Sequence, residues 1–287
     1  MEPNLGIVVV NFNGLELTRA CLNSIDVPAK VVLVDNNSSD GSKTELPKEF
    51  PEAIFIQLEE NTGFTGGYDR GMKAALDAGC EHILILNNDT VVQPGSIQKL
   101  VEAAAKCAVA TPTIKNIHKP DEITTIAGEF DWERGKWGRM ATEGRVEAAA
   151  GACLLFPRQV LERVGLFDED FFLYYEDVDL CARLKREGIP IDLVREAEIL
   201  HHEGGSTGSR QASPLSLYYN HRNRLLLMKK HSSDQQWRRF VSRFTWTRIP
   251  ILLRYAIAGD FSRYRAIRAG IRDFKKGRFG RADEWHG

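Results

Sequence analysis

Acidic, amide and imidazole side chains gather at a few places along the chain, each beside an apolar or aromatic run. Asn87-Asn88-Asp89-Thr90 follows directly on the apolar run 83–86. A carboxylate at a strand end can hold a hard divalent cation that keeps positions open for phosphate oxygens; a lone Asp more commonly makes an Asx turn or a helix cap. Phe167-Asp168-Glu169-Asp170-Phe171-Phe172-Leu173-Tyr174-Tyr175-Glu176-Asp177-Val178-Asp179-Leu180 crowds carboxylates among aromatic rings. Such groups are costly to bury unless paired, hydrogen-bonded or metal-bound. Beside apolar rings a carboxylate also becomes more basic, which suits a general base. Asp177 or Asp179 could equally cap the helix that runs on to Glu187, with one capping while its neighbour works. His201-His202-Glu203-Gly204-Gly205-Ser206 follows a short strand. An imidazole there could complete a metal shell begun by Asp89, although an isolated His is usually structural. Strand alternation puts only one of His201 and His202 on the active face.

Two further loops are polar or glycine-rich. Val34-Asp35-Asn36-Asn37-Ser38-Ser39-Asp40-Gly41 comes straight after a predicted strand, where open α/β sheets bind ligands, and reads equally as a polar turn. Asn61-Thr62-Gly63-Phe64-Thr65-Gly66-Gly67 enters a helix, and glycines mark tight turns at least as often as phosphate sites.

The elements that must hold these loops follow from periodicity. Strands are predicted at 5–11, 30–34, 53–58 and 82–86, with helices at 15–24 and 67–78 between them, so βαβ units and a mostly parallel sheet are expected. From 108 to 146 the pattern weakens into short strands, with a hairpin near 128–138. Regularity returns at 148–157, with helices at 159–164 and 178–187 and short strands at 191–193 and 198–201. After Leu215 the chain turns helical and basic.

Composition narrows the class. The 287 residues are 43% hydrophobic and 27% charged, as expected of a globular protein with a sizeable core. The longest apolar runs are far shorter than the ~20 residues of a membrane span, and no secretory leader is evident. The five cysteines are odd in number and contain no C-x-x-C pair, which argues against a disulfide framework or zinc knuckle and fits a reducing cytosol. Net charge is −1, yet residues 1–228 hold 23 Lys+Arg against 34 Asp+Glu, whereas 229–287 hold 15 against 5, a tail of +10. Phe261, Tyr264, Ile267, Ile271 and Phe274 recur at helical spacing among Arg263, Arg265, Arg268, Arg272 and Lys275. A basic amphipathic helix of this kind suits an anionic membrane interface; the other reading packs the stripe on the catalytic domain. No nucleic-acid motif accompanies the charge, so no nucleic acid is expected.

Taken together and in order, Val8-Val9-Val10-Asn11-Phe12-Asn13-Gly14, Val34-Asp35-Asn36-Asn37-Ser38, Asn61-Thr62-Gly63-Phe64, Leu86-Asn87-Asn88-Asp89-Thr90, the 167–180 cluster with Arg183, and Tyr219-Asn220-His221-Arg222-Asn223 carry a family likeness. Over residues 5–228 the sequence resembles the family-2 inverting glycosyltransferases of GT-A type, in particular the rhamnosyltransferase-like branch that builds bacterial surface polysaccharides. The resemblance implies an α/β fold: a Rossmann-like, mostly parallel central sheet with flanking helices, plus a C-terminal basic helical region. The catalytic domain would span 1–228, with a nucleotide-sugar half at 1–107 and an acceptor half at 108–228, before the amphipathic tail at 229–287. It further implies a nucleoside-diphosphate sugar bound by Asn11, Asp35, Asn36, Asn61, Gly63 and Asn88. Mg²⁺ or Mn²⁺ would sit at Asp89 with His201, or with His202 if the register slips by one. Asp177 would be the base and Glu176 its acidic neighbour. The acceptor would be a glycan or lipid-linked glycan, met at the cytoplasmic face of the cell membrane. Three positions differ from the family pattern: Tyr68 and Asp69 stand where asparagines are usual, Asn87-Asn88 where Asp or Pro is, and Asn36 where a second aspartate is common. A nucleotidyltransferase, or a non-catalytic nucleotide- or glycan-binding module, is the alternative. The first lacks support because Asn11-Phe12-Asn13-Gly14 has no Lys or Arg, the second because Asp89 and Asp177 are both present.

Overall fold

Ile7, Val8 and Val9 are fully buried, and strand alternation sends them to opposite faces of one sheet. Val8 joins one hydrophobic core with Tyr68 and Met72, while Ile7 and Val9 join a second with Cys21, Leu22 and Leu46. A strand buried on both sides reads as a continuous apolar run, as this one does. The computed structural model describes residues 4–104, 108–124, 127–202 and 212–283.

In chain order the elements are β1 (Leu5–Asn11), α1 (Leu15–Asn23), β2 (Lys30–Asp35), α2 (Ser42–Glu49), β3 (Ile54–Gln57), α3 (Gly63–Asp77), β4 (His82–Asn87), β5 (Thr90–Val92) and α4 (Ser96–Ala104). There follow β6 (Val109–Asn116), β7 (Lys119–Ile123), β8 (Ala127–Asp131), β9 (Lys136–Met140), β10 (Gly144–Val146), β11 (Ala148–Ala149), β12 (Cys153–Pro157) and α5 (Arg158–Val164). The last are α6 (Glu176–Arg186), β13 (Ile191–His201), α7 (Pro214–His231), α8 (Asp234–Ile257) and α9 (Phe261–Lys275). The main sheet runs β10-β13-β6-β12-β4-β1-β2-β3, with β5 and β7 paired at its margins, and a small sheet runs β11-β8-β9. The pairs β1–β2, β2–β3, β1–β4 and β6–β13 are parallel, whereas β12 lies antiparallel between β4 and β6. The mostly parallel α/β sheet is therefore as expected, with one reversed strand at its centre. Strand order changes direction at β1/β4, which opens a crevice at the carboxyl ends of those strands.

Several predicted boundaries move for physical reasons. Helix α3 starts at Gly63, four residues before the predicted start, because Gly66, Gly67 and Gly71 are helical packing positions. A Cβ at Gly67 would stand 2.8 Å from Val10 Cγ1, and one at Gly71 would overlap Val8, so these glycines let the helix lie close on the sheet. The two short strands expected at 191–193 and 198–201 are one strand, β13, whose register against β6 shifts between Val194 and Glu198. β6, inside the stretch where periodicity weakens, is a buried central strand. The expected hairpin near 128–138 is β8–β9.

The C-terminal helices begin at side-chain caps. Ser213 accepts from the Ser216 amide with Pro214 following, Ser233 and Gln236 form a capping box, and Asp260 accepts from the Arg263 amide. The charge boundary at 228/229 falls inside α7. The stripe expected to meet a membrane is largely packed instead: Ile267 is fully buried and Ile271 and Phe274 lie on the main core. The exposed apolar groups are Trp246, Ile249, Leu253 and Ile257 on α8, with Phe261 at the start of α9. Trp246, Ile249, Leu253 and Ile257 share one helical face by spacing.

Candidate active site

At the β1/β4 switch point, buried Asn11 ends β1 and ties three loops together. Its Nδ2 donates to Asp35 Oδ2 at 2.9 Å and Ser38 Oγ at 3.0 Å, and its Oδ1 accepts from Thr18 Oγ1 at 2.7 Å. Asp35, also fully buried, accepts from the Ser38 amide at 2.9 Å and from Gln57 Nε2 at 3.1 Å. Asn36 donates to Asn61 Oδ1 and the Gly63 carbonyl, and accepts from the Thr62 amide at 2.8 Å. These side chains thus set the shape of the crevice walls through bonds among themselves. Asn88 crosses from the β4 side, donating to Thr18 Oγ1 at 3.0 Å and Asn11 Oδ1 at 3.4 Å. Asn11, Asp35, Asn36, Asn61, Gly63 and Asn88 are therefore brought together, in one connected network.

Asp89 follows β4. His201 Nε2 lies 3.0 Å from Asp89 Oδ1 because β13 pairs with β5 and sets His201 opposite Thr90. The His202 amide donates to the Asp89 carbonyl, but its ring lies edge-on to His118 with centroids 5.4 Å apart. Of the two histidines it is His201 whose ring reaches Asp89. The residues 203–206 that continue this motif lie outside the described residues. Among the described residues no group of three His, Cys, Asp or Glu is arranged to hold a metal ion.

Asp177 sits in the first turn of α6 with Glu176 and Asp179, where the helix N-terminus favours negative charge. None of the three is the cap: that position is Tyr175, in the left-handed region at φ 71°. Asp177 Oδ1 accepts from the Val178 amide at 2.7 Å and Oδ2 from the Gly151 amide at 3.1 Å. Burial raises the Asp177 carboxyl above its ordinary range, only partly offset by those two amides. Burial and the neighbouring Asp177 push Glu176 well above its ordinary value, and Glu176 Oε2 is buried without a partner. Asp179 behaves oppositely. Burial would raise it, but a 2.7 Å hydrogen bond to His231 and the charge of Arg183, 2.9 Å away, hold it low.

Two contacts join the Asp177 loop to the crevice. The Asn87 amide donates to the Ala152 carbonyl at 2.9 Å, one residue from the Gly151 amide that holds Asp177. Phe64 and Thr65 amides donate to the Phe172 carbonyl, and a Cβ at Gly63, φ 74°, would overlap that carbonyl. The unusual Tyr68 lies under the Asn87 loop, its hydroxyl 3.1 Å from Asn87 Oδ1, whereas Asp69 is held away from it. Tyr68 donates to the Leu86 carbonyl at 3.0 Å, and Asp69 accepts from the Phe167 amide with its carboxyl raised by burial to about 7.

Sequence reasoning missed the residues that hold the base loop. Phe172, Tyr174 and Tyr175 all have positive φ, between 62° and 71°. Asn223 Nδ2 lies 2.7, 2.8 and 2.9 Å from the carbonyls of Phe171, Leu173 and Tyr174. The fully buried Arg222 donates to the Asp170, Phe171 and Gly280 carbonyls and to Asn223 Oδ1. Arg222-Asn223 belonged to a recognised motif, but nothing in its spacing revealed a partner some fifty residues away.

This fold, with a polar crevice at the switch point and an acidic helix start beside it, is of GT-A type. The family described as "Glycosyltransferase like family 2" matches residues 3–225; the chain belongs to that family and is a glycosyltransferase. Among similar proteins is the N-acetylglucosaminyl-diphospho-decaprenol L-rhamnosyltransferase of Mycobacterium tuberculosis, 29% identical over 91% of this chain and 92% of that one. The dTDP-rhamnosyl transferase RfbF of Shigella flexneri is 25% identical over 80% of this chain and 82% of its own. In fold, S. aureus TarS 1–349 in complex with UDP-GlcNAc aligns with a TM-score of 0.55 at 15% identity, covering 96% of this chain and 93% of that one. GalNAc-T7 with UDP, GalNAc and Mn²⁺ aligns with a TM-score of 0.59 at 18% identity over 76% of this chain, which spans about half (47%) of that longer one.

Proposed function

We propose that the chain is an inverting, metal-dependent rhamnosyl- or hexosyltransferase. It moves a sugar from a nucleoside-diphosphate donor to a lipid-linked glycan in surface polysaccharide synthesis, at the cytoplasmic face of the membrane. The observation that carries this reading is the short link from Asp177 through Gly151-Ala152 to Asn87, which sets a basic carboxylate beside the Asp89 loop. The names of the rhamnosyltransferase relatives support the sugar and the acceptor class.

In this reading base and ribose lie against the walls that Asn11, Asp35, Asn36, Asn61 and Gly63 shape, with Asn88 at the ribose. Asp89 and His201, whose carboxylate and imidazole meet at 3.0 Å, would hold the cation and leave it open to the donor's diphosphate. When bound, Mg²⁺ or Mn²⁺ offsets the charge gathering on the leaving diphosphate. The acceptor hydroxyl loses its proton to Asp177 as its oxygen forms the new bond to the anomeric carbon, and the bond from that carbon to the diphosphate breaks on the opposite face. The Val178 and Gly151 amides fix the carboxylate's orientation, and its raised basicity suits the proton transfer. One displacement inverts the anomeric centre, and no second nucleophile is needed. Glu176 lies beneath as a buried acidic neighbour.

Membrane association is assigned to the α8 face bearing Trp246, Ile249, Leu253 and Ile257, flanked by Arg243 and Arg254. Among the described residues no helix is long and apolar enough to cross a membrane. Interfacial seating by an apolar face with flanking arginines needs no span.

The test is Asp177→Asn. The amide keeps the shape but takes no proton, so transfer should fall about 10²–10⁴-fold with donor affinity unchanged. Chelation, or Asp89→Ala, should abolish transfer and weaken binding of the donor diphosphate more than of the nucleoside. Near-normal transfer by Asp177→Asn would remove the base; full activity in excess chelator would remove the metal.

A further inference from the structure

Arg224 on α7 and Arg248 on α8 reach toward each other over the ring of Phe244. Their guanidinium carbons stand 5.7 and 5.0 Å from its centroid, and Arg224 also lies 5.6 Å from that of Phe240. Among the described residues neither makes an ion pair with a carboxylate. Arg224 donates to the Arg134 carbonyl, and Arg248 to His221 Nε2 at 3.0 Å and Thr247 Oγ1 at 3.3 Å. In both, Nε is buried without a partner. The contrast with Arg222, two residues before Arg224 and bonded to three carbonyls and an amide oxygen, is direct.

His221 does not offset this charge. Its Nδ1 donates to the Leu217 carbonyl at 2.7 Å, so its Nε2 is the acceptor for Arg248, and burial pushes the ring down to about 4. The acidic group within electrostatic reach of Arg224 is Asp131, which is engaged by the Glu133 and Arg134 amides. Two half-buried cations with inward donors unused and a shared apolar ring are unfavourable together unless an anion joins them.

Their position says which anion. The buried Tyr175 hydroxyl lies within electrostatic reach of Asp177 and also of Arg224 and Arg248. The donor crevice is built by other elements, β1, β2 and β4. Beyond Arg248, half-buried Ile251, Leu252 and Tyr255 recur on the same side of α8 at three- and four-residue spacing. A cationic pair related to Asp177 through Tyr175, continued by an apolar helix face, matches a phosphate ester carried on a lipid.

We propose that Arg224 and Arg248 form the subsite for the phosphate or diphosphate of the lipid-linked acceptor. This rests on the acceptor class assigned above. The same chemistry could come from a bilayer headgroup, and the probes separate the two sources.

Binding to the full chain is measured calorimetrically without divalent cations, using inorganic pyrophosphate, farnesyl diphosphate, and anionic phospholipid vesicles lacking any prenyl diphosphate. Farnesyl diphosphate should bind more tightly than pyrophosphate, and Arg224→Gln and Arg248→Gln should each weaken it tenfold or more. Nucleotide-sugar affinity, measured separately with Mn²⁺ added, should stay within about twofold. Because each substitution removes an unpaired charge, the free variants should melt at or above the wild-type temperature, which separates lost binding from misfolding. Unchanged farnesyl diphosphate affinity in both variants overturns the proposal, as does failure of the wild type to bind either diphosphate. Arginine-dependent binding to vesicles alone overturns it too, by assigning the pair to the bilayer. If no nucleotide sugar binds even with Mn²⁺ added while arginine-dependent farnesyl diphosphate binding persists, the donor reading falls and the subsite stands.

Discussion

Asn223→Ala should disarm the base without touching any substrate. Asn223 Nδ2 serves the carbonyls of Phe171, Leu173 and Tyr174, and its Oδ1 accepts from Arg222 Nε at 2.8 Å. Phe171 keeps a second donor in Arg222, so the substitution orphans the Leu173 and Tyr174 carbonyls and one guanidinium N–H. Each orphaned buried group costs about 1–3 kcal/mol, and the two carbonyls are only partly buried, so about 3–5 kcal/mol is expected in all. At roughly 2 °C per kcal/mol for a chain of this size, Tm should fall by about 6–10 °C. The loop has an escape. Phe172, Tyr174 and Tyr175 lie in the left-handed region at roughly 1–3 kcal/mol each, and relaxing them recovers part of the loss. Relaxation moves Tyr175 and the start of α6, and with them Asp177. Nucleoside-diphosphate release in the presence of acceptor should then drop at least about 100-fold in kcat, while donor Kd, read by calorimetry, stays within a fewfold. Asn220→Ala is the control, because among the described residues Asn220 donates only along its own helix, to the Ser216 carbonyl. An Asn223→Ala protein with normal kcat and a Tm within 2 °C or so of wild type would refute the clamp.

Three other outcomes follow from the same geometry. Because burial raises Asp177, the acid limb of kcat/KM should lie above the usual carboxylate range and disappear in the residual activity of Asp177→Asn. Glu176 is raised further, so its stabilising contribution is complete below the pH at which an unfolded glutamate protonates and is lost as pH rises through the folded value. Glu176→Gln should therefore melt above wild type at pH 8, with a gain that shrinks toward pH 4; a pH-independent difference would contradict the burial argument. Replacing Trp246, Leu253 and Ile257 together with Ser should reduce co-sedimentation with anionic vesicles and leave Tm unchanged, since these side chains are 57–86% exposed; equal pelleting would place the membrane contact elsewhere.

The N-terminal half was legible because each strand carries its own signal. β1 was predicted to its terminal residues because it is apolar throughout and ends at a polar loop. The glycines of α3 misled for a physical reason: helix–sheet closeness and turn formation select the same residue, and sequence does not say which is at work. Asp177 and Asp89 could be singled out by type and neighbours. The pairing of Asp89 with His201, 112 residues apart, depends on the register of β13 against β5 and appears only in three dimensions. The tail misled because its composition is amphipathic in two places. The periodic stripe of α9 faces α7, and the outward face belongs to α8, where Pro250 and dispersed arginines obscure the period.

That tail is also part of the site's frame. α9 lies along α7, where a Cβ at Gly270 would stand 2.5 Å from the Tyr218 carbonyl, so the two helices touch backbone to backbone. Past α9, the Gly280 amide donates to the Asp170 carbonyl, the Ala282 amide to Tyr219 Oη, and Arg281 to Glu60 and the Asn61 carbonyl. One short segment thereby touches the base loop, α7 and the donor loop. The segment's contacts are hydrogen bonds to backbone carbonyls and one tyrosine hydroxyl, with exposed ion pairs of Arg281, so they fix position more than they add stability. An acidic body and a basic tail need not signal a separate anion-binding module. Part of the tail's charge is used within the molecule on backbone carbonyls, by Arg263 on that of Ala212 and by Arg281 on that of Asn61. Arg248 in the tail and Arg224 on α7 pair with no carboxylate among the described residues, and in the proposed reading both lie on the side where a lipid-borne acceptor would enter.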